Sequence, residues 1–159
     1  MKKKILIGLV SILLLVFGVI YFLAKPTLEE DGSYSPSSLA LKLGTVSVSD
    51  YEEVKYTKYE GDKSKILIIF TENKNLEMKN GKLFSTGNHP IEALVPMLHL
   101  KNAGFEFNIV TPNGNPVVFE MWAFPNEDEN VKAIYQEYKS NFDNPGNLSD
   151  FITSSFAND

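Results

Sequence analysis

Residues 5–24, ILIGLVSILLLVFGVIYFLA, run for 20 positions without a charge. No other feature limits the chain so strongly. Coiled into a helix, such a run is about 30 Å long, the thickness of the hydrocarbon core of a bilayer. Lys2, Lys3 and Lys4 precede it, and Glu29, Glu30 and Asp31 follow. Basic residues favour the cytoplasmic side, so a single-pass anchor is expected, with the N-terminus inside and the main domain outside the cytoplasm. A cleavable signal peptide is the competing reading. Its apolar core normally runs about 7–15 residues and ends in a small-x-small site, whereas cleavage after Ala24 would place bulky Phe22 three residues back. The chain contains no cysteine, which excludes a lipid-modified cysteine anchor within these residues.

Residues 26–159 set 11 lysines against 20 acidic residues, a formal charge of −9, and the chain has no arginine. Such a domain repels phosphate backbones, so nucleic acid is not expected as a partner. The same lack of cysteine removes disulfides, zinc–thiolate sites and a thiol nucleophile from the 159 residues.

The organisation expected is a basic tail at 1–4, the anchor at 5–24, a stalk and irregular arm at 25–62, and an α/β domain at 63–159. The arm is rich in Ser, Tyr, Glu and Lys and shows little periodicity. At residues 65–70, KILIIF is a short unbroken apolar run that suits a strand buried on both faces. A long loop with an Asn80-Gly81 turn follows. A helix is expected over about 90–103, with Pro90 at its first position and Gly104 just past its end. Ile91, Leu94, Val95 and Leu98 form its apolar stripe.

Residues 105–111 alternate like a strand, which completes a βαβ unit, the seed of a doubly wound, flavodoxin-like fold. A short strand is expected at 117–119, a helix at 128–142 and another at 148–156. Two good strands and one short one are too few for a doubly wound sheet covered on both faces. The chain therefore reads as the front part of a larger domain, with the 66–70 strand near an unprotected edge.

The stretch NGKLFSTGNHPIE, with LVPMLHL and AGFEF after it, resembles the ThiJ/PfpI superfamily (class I glutamine amidotransferase-like). Within that superfamily it is similar to the branch of heat-shock chaperones also called glyoxalase III and protein deglycase. The similarity continues through FEMWAFP at 119–125 to the Asn144-Pro145 break. It implies a three-layer α/β/α fold and cysteine-dependent conversion of methylglyoxal or glycated groups.

Several site residues follow from the resemblance. Glu92 matches the acid/base partner of the family's catalytic cysteine, while the nucleophile region has no counterpart in these 159 residues. The chain alone is therefore expected to be catalytically incomplete. Of the branch's metal site, made of two histidines and a glutamate, only Glu106 has a match. Lys101 and Tyr138 occupy the histidine positions, and a lysine places positive charge where a cation should sit. No metal and no cofactor are expected. Gly87, Asn88 and His89 are candidate binding residues. The partners implied are the membrane, a small reactive carbonyl or unfolded clients, and a second copy as a homodimer.

The residues also have readings without the family. Glu92 lies in the first helical turn, where the helix dipole favours a carboxylate, and it could complete a capping box with Asn88 or His89. Pro96 cannot donate to the Glu92 carbonyl and crowds it. His89 reads as an acid/base group or as a helix-capping loop residue, His99 as a half-buried packing residue, and Trp122 as core or interface. Ser85 and Thr86 lack a visible histidine–carboxylate partnership and are not expected to be nucleophiles. The alternative to an enzyme is a non-catalytic, tethered chaperone-like or scaffolding module.

Overall fold

A computed structural model describes residues 2–61 and 65–156. The boundary expected at 62/63 lies outside the described residues. The first helix, α1 (Lys2–Leu23), takes in the apolar run as far as Leu23 and starts at the first of the lysines. Its stretch Leu6–Leu23 is long and apolar enough to cross a membrane, and none of it is buried inside the protein.

The segment expected to be an irregular arm is more ordered than its composition suggested. It holds two short strands, β1 (Thr27–Leu28) and β2 (Tyr34–Ser35), and a helix, α2 (Ser38–Gly44). It then runs along the domain on tyrosines. Tyr51 lies 4.9 Å from the His99 ring, the Tyr56 hydroxyl is 3.0 Å from His99 Nδ1, and Tyr59 stacks on Phe105 at 4.9 Å. Tyrosines 51, 56 and 59 follow no period, so a periodicity search cannot find them. Their rings pack on the domain while the hydroxyls of Tyr51 and Tyr56 stay bonded, to Asn102 and His99.

The central unit is β3 (Lys65–Ile69), helix α3 (Pro90–Asn102) and β6 (Glu106–Thr111), with β3 and β6 paired in parallel from Lys65↔Glu106 to Ile69↔Val110. The helix stops where expected: Gly104 takes φ +93°, a left-handed conformation that suits glycine. The long loop after β3 contains a hairpin, β4 (Asn75–Glu77) and β5 (Leu83–Ser85), around Asn80-Gly81. This hairpin joins β1 and β2 in a mixed sheet of order β1-β2-β5-β4.

Residues 117–119 do not form the expected short strand. Their amides are spent on Phe142 and Thr71 carbonyls, and only an isolated bridge links Asn88 and Phe119. Pro116, which has no N–H, stands before them and a 3-10 turn at Met121–Ala123 follows, so no ladder can extend. The third parallel strand is β7 (Gly146–Asn147), between α4 (Glu129–Asp143) and α5 (Leu148–Phe156). The second sheet has the order β3-β6-β7, with β3 at its edge. The fold is α/β.

The expectation that β3 is buried on both faces also fails. Ile66 and Ile68 pack on the core, while Leu67 and Ile69 point outward, Ile69 being 55% exposed. The core lies on one side of this strand, where Leu94 and Met97 of α3 meet Val131, Ile134 and Phe142 of α4.

Asp128 caps α4 and ties it to the arm. Its carboxylate accepts from the Val131 amide at 3.0 Å, the Ser49 amide at 2.9 Å and the Ser49 hydroxyl. Burial alone would raise the Asp128 pKa, but these donors outweigh it and hold the carboxyl below its usual value. A carboxyl lowered in the folded state stabilises above its unfolded pKa of about 3.9 and loses that stabilisation as pH falls through the folded value. Asp128→Ala is thus expected to cost about 1–2 kcal/mol at pH 7, with the gap to the native chain closing below about pH 4. Urea midpoints across pH check this. A gap that is constant down to pH 2 contradicts it.

Candidate functional site

The polar turn that precedes α3 is fixed by one side chain. The Asn88 carbonyl oxygen accepts from the Thr71 amide at 3.1 Å, and its Nδ2 donates to the Thr71 carbonyl at 3.0 Å and the Val118 carbonyl at 2.7 Å. The Asn88 backbone adds an N–H bond to Val118 and accepts from Glu120. The end of β3, the start of α3 and the 117–120 segment are therefore stitched together at a single residue. Gly87 makes the approach possible. A Cβ there would stand 2.8 Å from the Val118 carbonyl oxygen and 2.9 Å from the Phe119 carbonyl carbon, both backbone atoms. Thr86 adds a bond from its hydroxyl to Glu120 at 3.2 Å.

Beside this knot lies a cleft of about 490 Å³. Ile68, Ile69 and Phe70 wall it from β3, Gly87, Asn88 and His89 from the turn, and Glu92 and Pro96 from α3. It sits at the carboxyl end of a parallel strand, where open α/β sheets place their ligands. All four polar-turn and helix residues read from the sequence, Gly87, Asn88, His89 and Glu92, line this one cleft.

Their local roles differ from the simplest expectation. His89 is the N-cap of α3, yet its side chain makes no capping bond, and the Asn88 amide is committed elsewhere. Neither forms a capping box with Glu92, so the Glu92 carboxylate is exposed in the first turn of the helix, at the mouth of the cleft. Among the described residues, His89 Nδ1 is buried without a hydrogen-bond partner, and Trp122 Nε1 shares that condition. A buried imidazole nitrogen left unpaired is costly, which sets His89 apart from an ordinary capping residue.

His99 packs between Tyr51 and Tyr56. Trp122 faces Phe84 edge-on, with ring centroids 6.4 Å apart, and does not line the cleft. Ser85 belongs to strand β5, and Thr86 is engaged with Glu120.

The positions that the resemblance links to a metal lie apart from the cleft lining. Glu106 pairs with Lys65 at 3.0 Å, and Lys101 pairs with Glu137. The Tyr138 hydroxyl is held in its neutral form by burial first and then by the negative charges of Glu137 and Glu106. Among the described residues no group of three or more His, Cys, Asp or Glu could hold a metal ion.

Sequence reasoning passed over two cleft features. The knot ties Asn88 to Thr71, 17 residues back, and to Val118, 30 residues on, and has no local signature. Ile69 appeared as a core residue, because a continuous apolar run does not show which of its side chains a neighbouring layer will leave uncovered.

No family model matches the chain. Curated relatives do. Two proteins of Pseudomonas aeruginosa, from strains LESB58 and UCBPP-PA14, are each named protein/nucleic acid deglycase HchA. They are 44% identical over 135 residues, which is 84% of this chain and 46% of each relative. The protein of the same name from Escherichia coli strain K12 / DH10B is 46% identical over 127 residues, 80% of this chain and 45% of its own length. The chain spans less than half the length of the curated relatives it matches.

Proposed function

Because this chain belongs with the protein/nucleic acid deglycases of the ThiJ/PfpI superfamily, sharing less than half their length, we propose that it forms the acid/base half of a membrane-anchored deglycase of the glyoxalase III type. The observation that carries this reading is the position of Glu92: exposed at a helix mouth, lining a cleft at the end of a parallel strand, beside Gly87, Asn88 and His89.

By resemblance, a thiolate adds to the carbonyl carbon of methylglyoxal or of a glycated group. A C–S bond forms as the carbonyl π pair moves to oxygen, and that oxygen receives the proton that Glu92 has taken from the thiol, leaving a hemithioacetal. The 159 residues contain no cysteine, so the thiolate comes from outside them. General acid–base help of this kind is worth about 10²–10⁴-fold beside a reacting group. No metal is placed in the scheme: of the three positions that the resemblance links to one, Lys101 and Tyr138 stand where histidines would, and Glu106 is paired with the Lys65 ammonium.

The finer architecture proposed is the front of a flavodoxin-like sheet, with residues 63–159 as its α/β portion. Residues 5–24 anchor it, with the N-terminus cytoplasmic and the domain outside, which the lysines that open α1 favour.

The test is Glu92→Gln at the chromosomal locus of the host, with the protein level verified. Cells carrying it are expected to lose tolerance to methylglyoxal. Unchanged tolerance would sink the deglycase reading. It would favour the second one, a tethered scaffold that presents apolar surface, for which the outward-facing Leu67 and Ile69 of edge strand β3 speak.

A further inference from the structure

Helix α2 is unlike the rest of the fold. It has only seven residues, SLALKLG, and none of them is buried, although three are leucines. A helix this short is marginal in water without a packed face. It is nevertheless well capped: Ser37 accepts from the Ala40 amide at 3.1 Å, and the Thr45 hydroxyl donates to the Leu41 carbonyl at 2.7 Å. Leu43 is 79% exposed and Val46, just beyond, 56%. Leu28 of β1 is 62% exposed.

Leu28 and the start of α2 meet at one place, the carboxyl end of α1. The Ser38 hydroxyl, at the first residue of α2, lies 3.4 Å from the Leu23 carbonyl, at the last residue of α1. A cleft of about 330 Å³ opens there, walled by Phe22, Lys25, Leu28 and Tyr34 among others. We propose that α2 and β1 form a collar that seats in the lipid headgroup layer beside the end of α1, holding the cleft-bearing domain against the bilayer. The proposal rests on the reading of α1 as a membrane anchor.

Reach supports it. The stretch Leu6–Leu23 has 18 residues, about 27 Å of helix against about 30 Å of hydrocarbon, so Leu23 stands at the hydrocarbon edge. Leu43 is five residues along α2 from Ser38, at most about 8 Å away. The headgroup layer on each side is about 5–8 Å thick. Leu43 therefore falls within that layer where α2 lies along the bilayer surface. The chemistry fits too. Tyr21 and Phe22 near the end of α1 match the aromatic belt of membrane interfaces, and Lys25 and Lys42 flank the apolar residues with stems that can snorkel. Glu29 and Glu30 are exposed in the turn between β1 and β2 and stay hydrated, so insertion is shallow.

The absence of native cysteine makes the test clean. Single variants Leu13→Cys, Leu43→Cys and Gln136→Cys of the full chain are labelled with an environment-sensitive fluorophore. Each is reconstituted in phosphatidylcholine vesicles with or without lipids brominated near the headgroup or deep in the acyl chain. The Leu43 label is expected to lose most of its emission to the shallow bromines, the Leu13 label to the deep ones, and the Gln136 label to neither. A Leu43 label as unquenched as Gln136, with Leu13 quenched, overturns the collar and leaves the anchor standing. An unquenched Leu13 label overturns the anchor and the collar with it. If the Leu43 label is instead self-quenched, and unlabelled protein relieves this, a second copy covers the face and the proposal fails.

Discussion

Phe142→Ala is expected to cost the domain about 3–5 kcal/mol, a large share of the 5–15 kcal/mol that holds a typical domain folded. Phe142 is 2% exposed. Its ring lies 5.6 Å from Phe70, 5.0 Å from Phe119 and 5.9 Å from Tyr135, and it meets Tyr138 at 6.4 Å. Truncation removes the burial of a whole ring and leaves a cavity whose aromatic walls cannot close over it. Phe70 also walls the candidate cleft, so the damage should reach the site. Leu67→Ala provides the contrast. Its side chain faces outward on β3, and the expected loss is under about 1 kcal/mol. Urea midpoints in detergent solution decide the matter. Equal losses in the two variants would mean that the core does not lie where it is placed.

Gly87→Ala is the second large effect, of about 1–3 kcal/mol. The added Cβ would meet Val118 and Phe119 backbone atoms at under 3 Å, and backbone cannot swing aside as a flexible side chain can. The 117–120 segment has to retreat, which pulls the Val118 carbonyl from the Asn88 amide and loosens the Thr86–Glu120 bond. A lower urea midpoint should come with a shift in the emission of Trp122, two residues past Glu120. A variant as stable as the native chain, with unaltered emission, would show that the turn and the 117–120 segment are not in contact.

The parts of this fold legible in the sequence are those in which local chemistry and tertiary packing agree. Pro90 and Gly104 bracket α3 as punctuation requires, and Asp128 announces the start of α4. Leu94, Val95 and Leu98 of the stripe expected on α3 face the core that it shares with α4. What the sequence hid depends on partners far along the chain. The hairpin β4–β5 is made of three-residue strands, too short for a period to register. Strand β7 has two residues, one of them glycine, and exists because β6 offers it a free edge. Residues 117–119 have strand-like composition, yet their amides are claimed by Phe142 and Thr71.

The site divides the same way. Glu92 and the turn before it stand out in the primary structure, because so many polar groups converge on one helix start. That the Asn88 side chain would be used up in a backbone knot, leaving Glu92 without a capping partner, depends on Thr71 and Val118 and could not be read locally.

The most direct measurement is methylglyoxal consumption by the purified 159-residue chain, assayed beside its Glu92→Gln variant. The expected rate is the buffer background for both. An acid/base group accelerates nothing without a reacting partner, and these residues supply no thiolate. Turnover well above background that vanishes in Glu92→Gln would contradict the account, since the cleft beside α3 would then hold a complete catalytic apparatus.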